Sequence, residues 1–271
     1  MIRDAEQYAA DSRHFHVWWL GQSGYLLLWQ GKRVLIDPYL SDSLTQKYAA
    51  TSKPHIRMSE QVIEPHLLKK ISIITSSHNH TDHLDGETLV PLLKNNPDAV
   101  LLIPEANRQF VCERIRMPID FPVGLNDGKS VSIEAFTFTG IPACHNEIER
   151  DEQGRCRFMG YVIRFGPWCI YHSGDTLWYD EMVSLLQPFR IDLAFLPING
   201  NDAARGVAGN LDAREAAELG KKIGAKLVIP CHYDLFTFNT ADPAHFAREP
   251  EKAGQPYRIL QPGEHFSSES L

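Results

Sequence analysis

Short apolar runs broken by turn residues dominate the start of the chain. Phe15–Leu20, Tyr25–Trp29 and Arg33–Asp37, divided by Gly21-Gln22-Ser23-Gly24 and Gly31-Lys32, predict a meander of strands that stops at Pro38. A long loop follows, from Tyr39 to about Glu60, carrying Tyr48, Lys53, His55 and Arg57. From residue 62 the pattern alternates: strands near 71–75 and 99–103, helices over Gly86–Asn95 and Pro104–Arg116. Asp127-Gly128 opens a second strand-rich stretch, Ser130–Gly140, Arg157–Phe165 and Trp168–His172, interrupted by Gly166-Pro167 and the charged tip Glu147–Arg155. The last third predicts a helix near 177–186, a strand Asp192–Leu196, a helix Asp212–Ile223 and a strand Lys226–Pro230. Asp212 and Glu215 have capping-box spacing, and Gly224 stands where a helix C′ glycine belongs. Two β-rich halves with helices outside predict an α/β (α+β) protein, a four-layer αβ/βα sandwich forming one domain over residues 1–271.

Composition changes this picture only at its margins. A hydrophobic fraction of 43% over 271 residues supports a sizeable core. The net charge of −7 argues against a general nucleic-acid or anionic-membrane surface, and a local basic patch stays open. Acidic residues in Met1-Ile2-Arg3-Asp4-Ala5-Glu6 leave no secretory apolar region, and no apolar run approaches the roughly 20 residues that span a bilayer. The five cysteines are odd in number and lack C-x-x-C spacing, so we expect free, mostly buried thiols and a cytoplasmic location. Self-association is left open by the sequence.

The chemistry concentrates in His78-Asn79-His80-Thr81-Asp82-His83, directly after the apolar run Ile71–Thr75. In extended backbone, side chains two apart share a side, so His78 and His80 can converge on one ion while Asp82 and His83, past a turn, face a second. Imidazole and carboxylate donors suit zinc or the harder manganese. His145, Asp175 and His232 each stand at the end of a predicted strand, where further ligands of a site between sheets are expected. Taken singly, each is equally well a hydrogen-bonded turn or core residue. Cys144 and Cys231 adjoin ligand histidines but point the opposite way in extended backbone, which predicts packing rather than ligation.

The order His78-x-His80-x-Asp82-His83, His145, Gly174-Asp175-Thr176 and His232 resembles the metallo-β-lactamase superfamily from near residue 15 to near residue 265. Leu196–Asp202, Gly209-Asn210-Leu211, Ile229–Asp234 and Lys47–His55 are similar to the branch of the L-ascorbate-6-phosphate lactonases. The branch of phospholipase D that hydrolyses N-acylphosphatidylethanolamine shares the ligand pattern. The resemblance implies two divalent ions, one held by His78, His80 and His145, the other by Asp82, His83 and His232, with Asp175 bridging.

Such a pair lowers the pKa of a shared water toward about 7 and polarises the oxygen under attack. Asp82 is then the catalytic side chain, orienting the nucleophile and accepting its proton. The expected function is hydrolysis of a small anionic molecule, a phosphorylated sugar lactone being the class the resemblance favours. The alternatives are a phosphodiesterase, nuclease-like or lipid-directed, and a metal-binding protein without turnover. On the substrate side, Arg205 either clamps an anion or is a solvated loop arginine. Asn199 either lines the pocket or shapes a turn, and Tyr233 either meets substrate or is structural. Asp37 and Thr176 are candidates to support the histidines from behind.

Overall fold

The predicted meander forms as β1 (His16–Gly21), β2 (Gly24–Trp29) and β3 (Lys32–Ile36), antiparallel neighbours joined by tight turns. In this computed structural model, which describes residues 2–271, the helix α1 (Ile2–Gln7) precedes them. The loop beyond β3 is not structureless: it contains α2 (Ser43–Tyr48), which lacks the apolar periodicity that would have signalled it. The chain then returns to the same sheet through parallel strands β4 (Ile71–Thr75), β5 (Val100–Pro104) and β6 (Val123–Leu125), with α3 (Gly86–Asn95) and α4 (Arg108–Ile115) as connections. Asp85 caps α3 by accepting from the backbone N–H groups of Glu87 and Thr88.

The second sheet runs through β7 (Ser130–Ile133), β8 (Phe136–Pro142), β9 (Met159–Phe165), β10 (Trp168–His172), β11 (Leu193–Pro197) and β12 (Leu227–Cys231). The single strand predicted over 130–140 is a hairpin, turned at Glu134 with φ of 51°. The helix predicted over 177–186 shortens to α5 (Met182–Leu186), because Leu177 pairs with Cys144 through a 2.7 Å backbone hydrogen bond. α6 (Ala213–Lys222) carries the Asp212/Glu215 capping box, and Gly224 follows at φ 69°. α7 (Pro243–Ala253) packs on α6, and β13 (His265–Ser267) pairs with β1 at the edge of the first sheet.

Alternation places the sheets face to face. Val17, Trp19, Tyr25 and Leu27 join one core with Phe136, Phe138, Tyr161 and Ile163 of the opposite sheet. Trp18, Leu20, Leu26 and Leu28 point the other way, onto Leu89 and Leu92 of α3 and Val111 of α4. α6 covers β11 and β12. The result is the αβ/βα sandwich. Strands buried on both faces explain why β1 and β2 read as apolar runs rather than as alternation.

One end of this sandwich is chemically distinct. β4 and β5 are parallel, β10, β11 and β12 are parallel, and β8 runs in the same direction as β10 because both are antiparallel to β9. The carboxyl ends of parallel strands are where α/β sheets place ligands.

Candidate metal centre

β4 releases the chain into Ser76–His83, which coils so that the His83 and Leu84 N–H groups donate to the His80 carbonyl at 3.1 and 2.8 Å. Buried Leu84 anchors the turn, and Arg114 of α4 donates to the Asn79 and Leu84 carbonyls, each at 2.9 Å. His145 follows β8, Asp175 follows β10 and His232 follows β12. The structure brings all seven side chains together in two groups. In each, the candidate ligand atoms lie within 4.8 Å of one another: His78, His80 and His145 in one, Asp82, His83, Asp175 and His232 in the other. Asp175 joins them, with Oδ1 3.2 Å from His83 Nε2 and Oδ2 3.4 Å from His232 Nε2 and 3.9 Å from His145 Nε2.

The tautomers are set from behind. Asp37, fully buried, accepts from His83 Nδ1 at 2.8 Å, from the Ser77 N–H at 3.0 Å, from Thr75 Oγ1 at 3.0 Å and from the Ser77 hydroxyl. Having given its proton to Asp37, Ser77 Oγ accepts from His78 Nδ1 at 3.0 Å. His145 Nδ1 donates to the Gly209 carbonyl at 2.9 Å. Each of these rings therefore carries a proton on Nδ1 and turns Nε2 to the centre, the orientation a ligating histidine needs. His78 Nε2, His83 Nε2 and Asp175 Oδ1 are buried without a hydrogen bond; the last two lie 3.2 Å apart but are not aligned for one. Buried polar atoms are ordinarily paired, so several aimed at one point fit a divalent cation.

Electrostatics give the same reading. Burial opposes charge on both carboxylates, yet His83 and His232 beside them hold Asp82 and Asp175 well below the usual carboxylate range. Burial likewise opposes a charged His232, but Asp175 and Asp82 push its pKa up to about 9 and carry that of His83 well above the ordinary histidine value. Burial leaves His78 strongly neutral. Two carboxylates in a dry site demand compensating positive charge, which protons or bound cations supply.

Gln22 and His172 complete the scaffold and were not singled out by the sequence. The Gln22 side-chain amide donates to Asp82 Oδ2 at 2.9 Å and lies 3.0 Å from His232 Nε2; the Gln22 backbone carbonyl accepts from the His232 backbone N–H at 3.0 Å. Gln22 and His232 have φ of 51° and 66°, a left-handed backbone in both that these mutual bonds help to hold. His172 Nε2 donates to the Ser23 carbonyl at 2.9 Å, and its Nδ1 accepts from the Gly174 N–H at 3.3 Å, fixing the turn that presents Asp175. The G-x-x-G turn was legible as a turn; nothing in it marked Gln22 as facing a ligand set.

A cleft of about 600 Å³ opens above the centre. Asp82, His80, His145, Asp175 and His232 form its base, and Lys47, Lys53, His55 and Phe238 its wall. Three expected substrate-side residues are absent from its lining. Tyr233 is fully buried, turned inward after the left-handed backbone at His232, its hydroxyl donating to the Leu260 carbonyl at 2.6 Å. Asn199 is committed to Asn239 and Asn210 at 2.9 and 3.0 Å. Arg205 donates to Asn239 Oδ1 at 2.9 Å and the Gly200 carbonyl at 2.7 Å, and so ties its own loop together. Thr176 accepts from the Cys144 N–H at 3.0 Å and so braces the strand end before His145. Cys231 is buried as expected, whereas Cys144 is partly exposed.

Against known proteins, a family model described as beta-lactamase superfamily domain matches residues 32–233. A metal-dependent hydrolase of the UPF0173 group from Archaeoglobus fulgidus is 30% identical over 255 residues, covering 92% of this chain and 96% of that protein. Among solved structures, Igni18, described as a metallo hydrolase from Ignicoccus hospitalis, superposes with a TM-score of 0.72 at 22% identity, covering 94% of this chain and 98% of that one. The metallo-beta-lactamase fold protein YhfI of Bacillus subtilis gives a TM-score of 0.67 at 16% identity over 94% of this chain and all of that one (100%).

Proposed function

The chain belongs to the beta-lactamase superfamily and is a metal-dependent hydrolase of the metallo-β-lactamase fold; from that premise we propose that it hydrolyses a small anionic substrate, a phosphorylated sugar lactone fitting best, at a binuclear centre. In this reading His78, His80 and His145 hold one divalent ion, Asp82, His83 and His232 the other, and Asp175 both. When bound, such a pair supplies an acidified water and Lewis-acid polarisation of the attacked oxygen, and the mixed imidazole and carboxylate set suits zinc or manganese.

The protein's own groups do the rest. Gln22 holds Asp82 by Oδ2, which leaves Oδ1 to orient the attacking water and take its proton. Lys47 and Lys53 stand on the wall, Lys53 donating to the Gly206 carbonyl and Lys47 to Thr81 Oγ1, and their charges attract an anion to a chain whose net charge is −7. The observation that carries the reading is the position of Asp175, within 4 Å of ligand nitrogens from both groups. No described helix is long and apolar enough to cross a membrane, and the free cysteines support a reducing, cytoplasmic setting.

The test combines metal analysis of gently purified protein with turnover of phosphorylated lactones and of phosphodiesters under zinc or manganese. Lactone opening that is lost in Asp82→Asn, with phosphodiesters inert, is the expected result. Phosphodiester cleavage with inert lactones would replace this substrate class by the phosphodiesterase alternative.

A further inference from the structure

We propose that His55 is a specificity-determining residue that touches the substrate: its Nε2 accepts a hydrogen bond from a hydroxyl carried beside the group under attack. This rests on the hydrolase reading above and narrows its substrate to hydroxylated molecules.

His55 sits on the segment after α2, which lies along the wall of the cleft. That segment is held in place by backbone hydrogen bonds from Met58 N–H to the Leu235 carbonyl (2.8 Å) and from Thr237 N–H to the Ile56 carbonyl (2.9 Å). Arg57 adds a 2.7 Å bond to Asp42, and Thr45 Oγ1 donates to the His55 carbonyl at 2.6 Å. The ring stacks on Tyr48 at 4.5 Å and leans on Phe236 and Phe238 at 5.3 and 5.1 Å, so its plane is fixed.

The hydrogen bonding then decides what it offers. Nδ1 lies 2.8 Å from the Lys53 carbonyl, which only accepts, so Nδ1 carries the proton. Nε2 has no partner among the described residues, and the residue lines the same cleft as Asp82 and His232. Burial lowers the pKa of this ring, which keeps it neutral and Nε2 an acceptor. Lys47 and Lys53, which line the same cleft, can only donate. One ring nitrogen is committed to the fold and the other is left without a protein partner on a residue that lines the cleft.

The experiment uses the full chain loaded with zinc or manganese and two lactones that differ in their hydroxyls, D-glucono-1,5-lactone and δ-valerolactone. In His55→Asn the side-chain amide keeps the bond to Lys53 but nothing replaces Nε2. An unpaired hydroxyl in the cleft then lowers kcat/KM for the hydroxylated lactone about 10- to 100-fold, while δ-valerolactone stays within about twofold. In His55→Gln the amide oxygen reaches the Nε2 position and restores part of the loss. Equal losses on both lactones, or none on either, overturn the proposal. If wild-type protein opens neither lactone, it is the hydrolase reading on lactones that fails. The imidazole 15N spectrum then judges His55 separately: a shift of its Nε2 resonance with D-gluconate upholds the contact, and an unmoved resonance removes it.

Discussion

Replacing Asp37 by Asn tests whether the centre is organised from behind. The substitution preserves shape, and Asn tolerates the left-handed backbone at this position, where φ is 41°. What changes is the number of acceptors. Asp37 receives four donors, from Thr75 Oγ1, the Ser77 N–H, the Ser77 hydroxyl and His83 Nδ1. An amide placed with its oxygen toward His83 turns its NH2 on the Ser77 N–H, which cannot rotate away. Placed the other way, it confronts His83 Nδ1 and drives that ring to the opposite tautomer, with a proton on Nε2 where a lone pair is required. Each conflict leaves a buried donor unpaired, at about 1–3 kcal/mol. In the first orientation this appears as stability, about 2 °C in Tm per kcal/mol for a chain of this size. In the second it appears as metal affinity, a loss of roughly 10- to 100-fold. Calorimetric melting of metal-free protein and zinc titration against a chromophoric chelator separate the two. A variant whose Tm moves by less than about 1 °C and whose zinc Kd stays within about twofold would show that Asp37 orients nothing.

Further outcomes follow from other parts of the same scaffold. Gly174→Ala adds a Cβ at φ 60°, 2.8 Å from both the Met159 carbonyl and the Ser77 Cβ, so it should destabilise by about 2–5 kcal/mol and displace Asp175; a melt within 1 °C of wild type (roughly 0.5 kcal/mol) would contradict that packing. Exhaustive chelation should lower Tm reversibly, by the equivalent of about 4 kcal/mol when metal had been present at a thousand times its Kd; a melt indifferent to chelator and to added zinc or manganese would dismiss the ligand set. His265, stacked on Tyr8 and bonded to His16 at 3.0 Å, has its pKa pushed by burial and by His16 from 6.5 to about 4. The folded state therefore resists a proton that the unfolded chain accepts, and stability falls as pH drops from 6.5 to about 4. Discounted for partial exposure, the loss is roughly 1–2 kcal/mol. His265→Gln should flatten that part of the Tm-against-pH curve, and superimposable curves would refute the assignment.

What the sequence disclosed and what it withheld divide along a physical line. Features whose signal is local were legible. The β4 run, the span of α3, the Asp212/Glu215 cap and the His78–His83 cluster lie in short stretches whose chemistry is written in adjacent residues, whereas His145, Asp175 and His232, ambiguous singly, took their meaning from the family resemblance. Features decided by a partner far along the chain were not. α2 carries no helical stripe of its own, and β13 has three residues whose meaning comes from pairing with β1. The same division holds inside the site. Tyr233, beside His232, was a fair candidate to face the cleft. Its direction depends on the left-handed turn at His232 and on the Leu260 carbonyl that receives its hydroxyl. Arg205 had the charge to clamp an anion, yet its two terminal nitrogens bond to the Asn239 side chain and its own loop carbonyl, and the residue stands outside the cleft lining. Gln22 lacked any distinguishing context and His55 was marked only as part of a long loop, because their significance lies in which hydrogen-bonding atoms remain after the fold has used the others. A side chain's chemistry can be read from its name; its availability is set by hydrogen bonds to residues as distant as the 210 positions between Gln22 and His232.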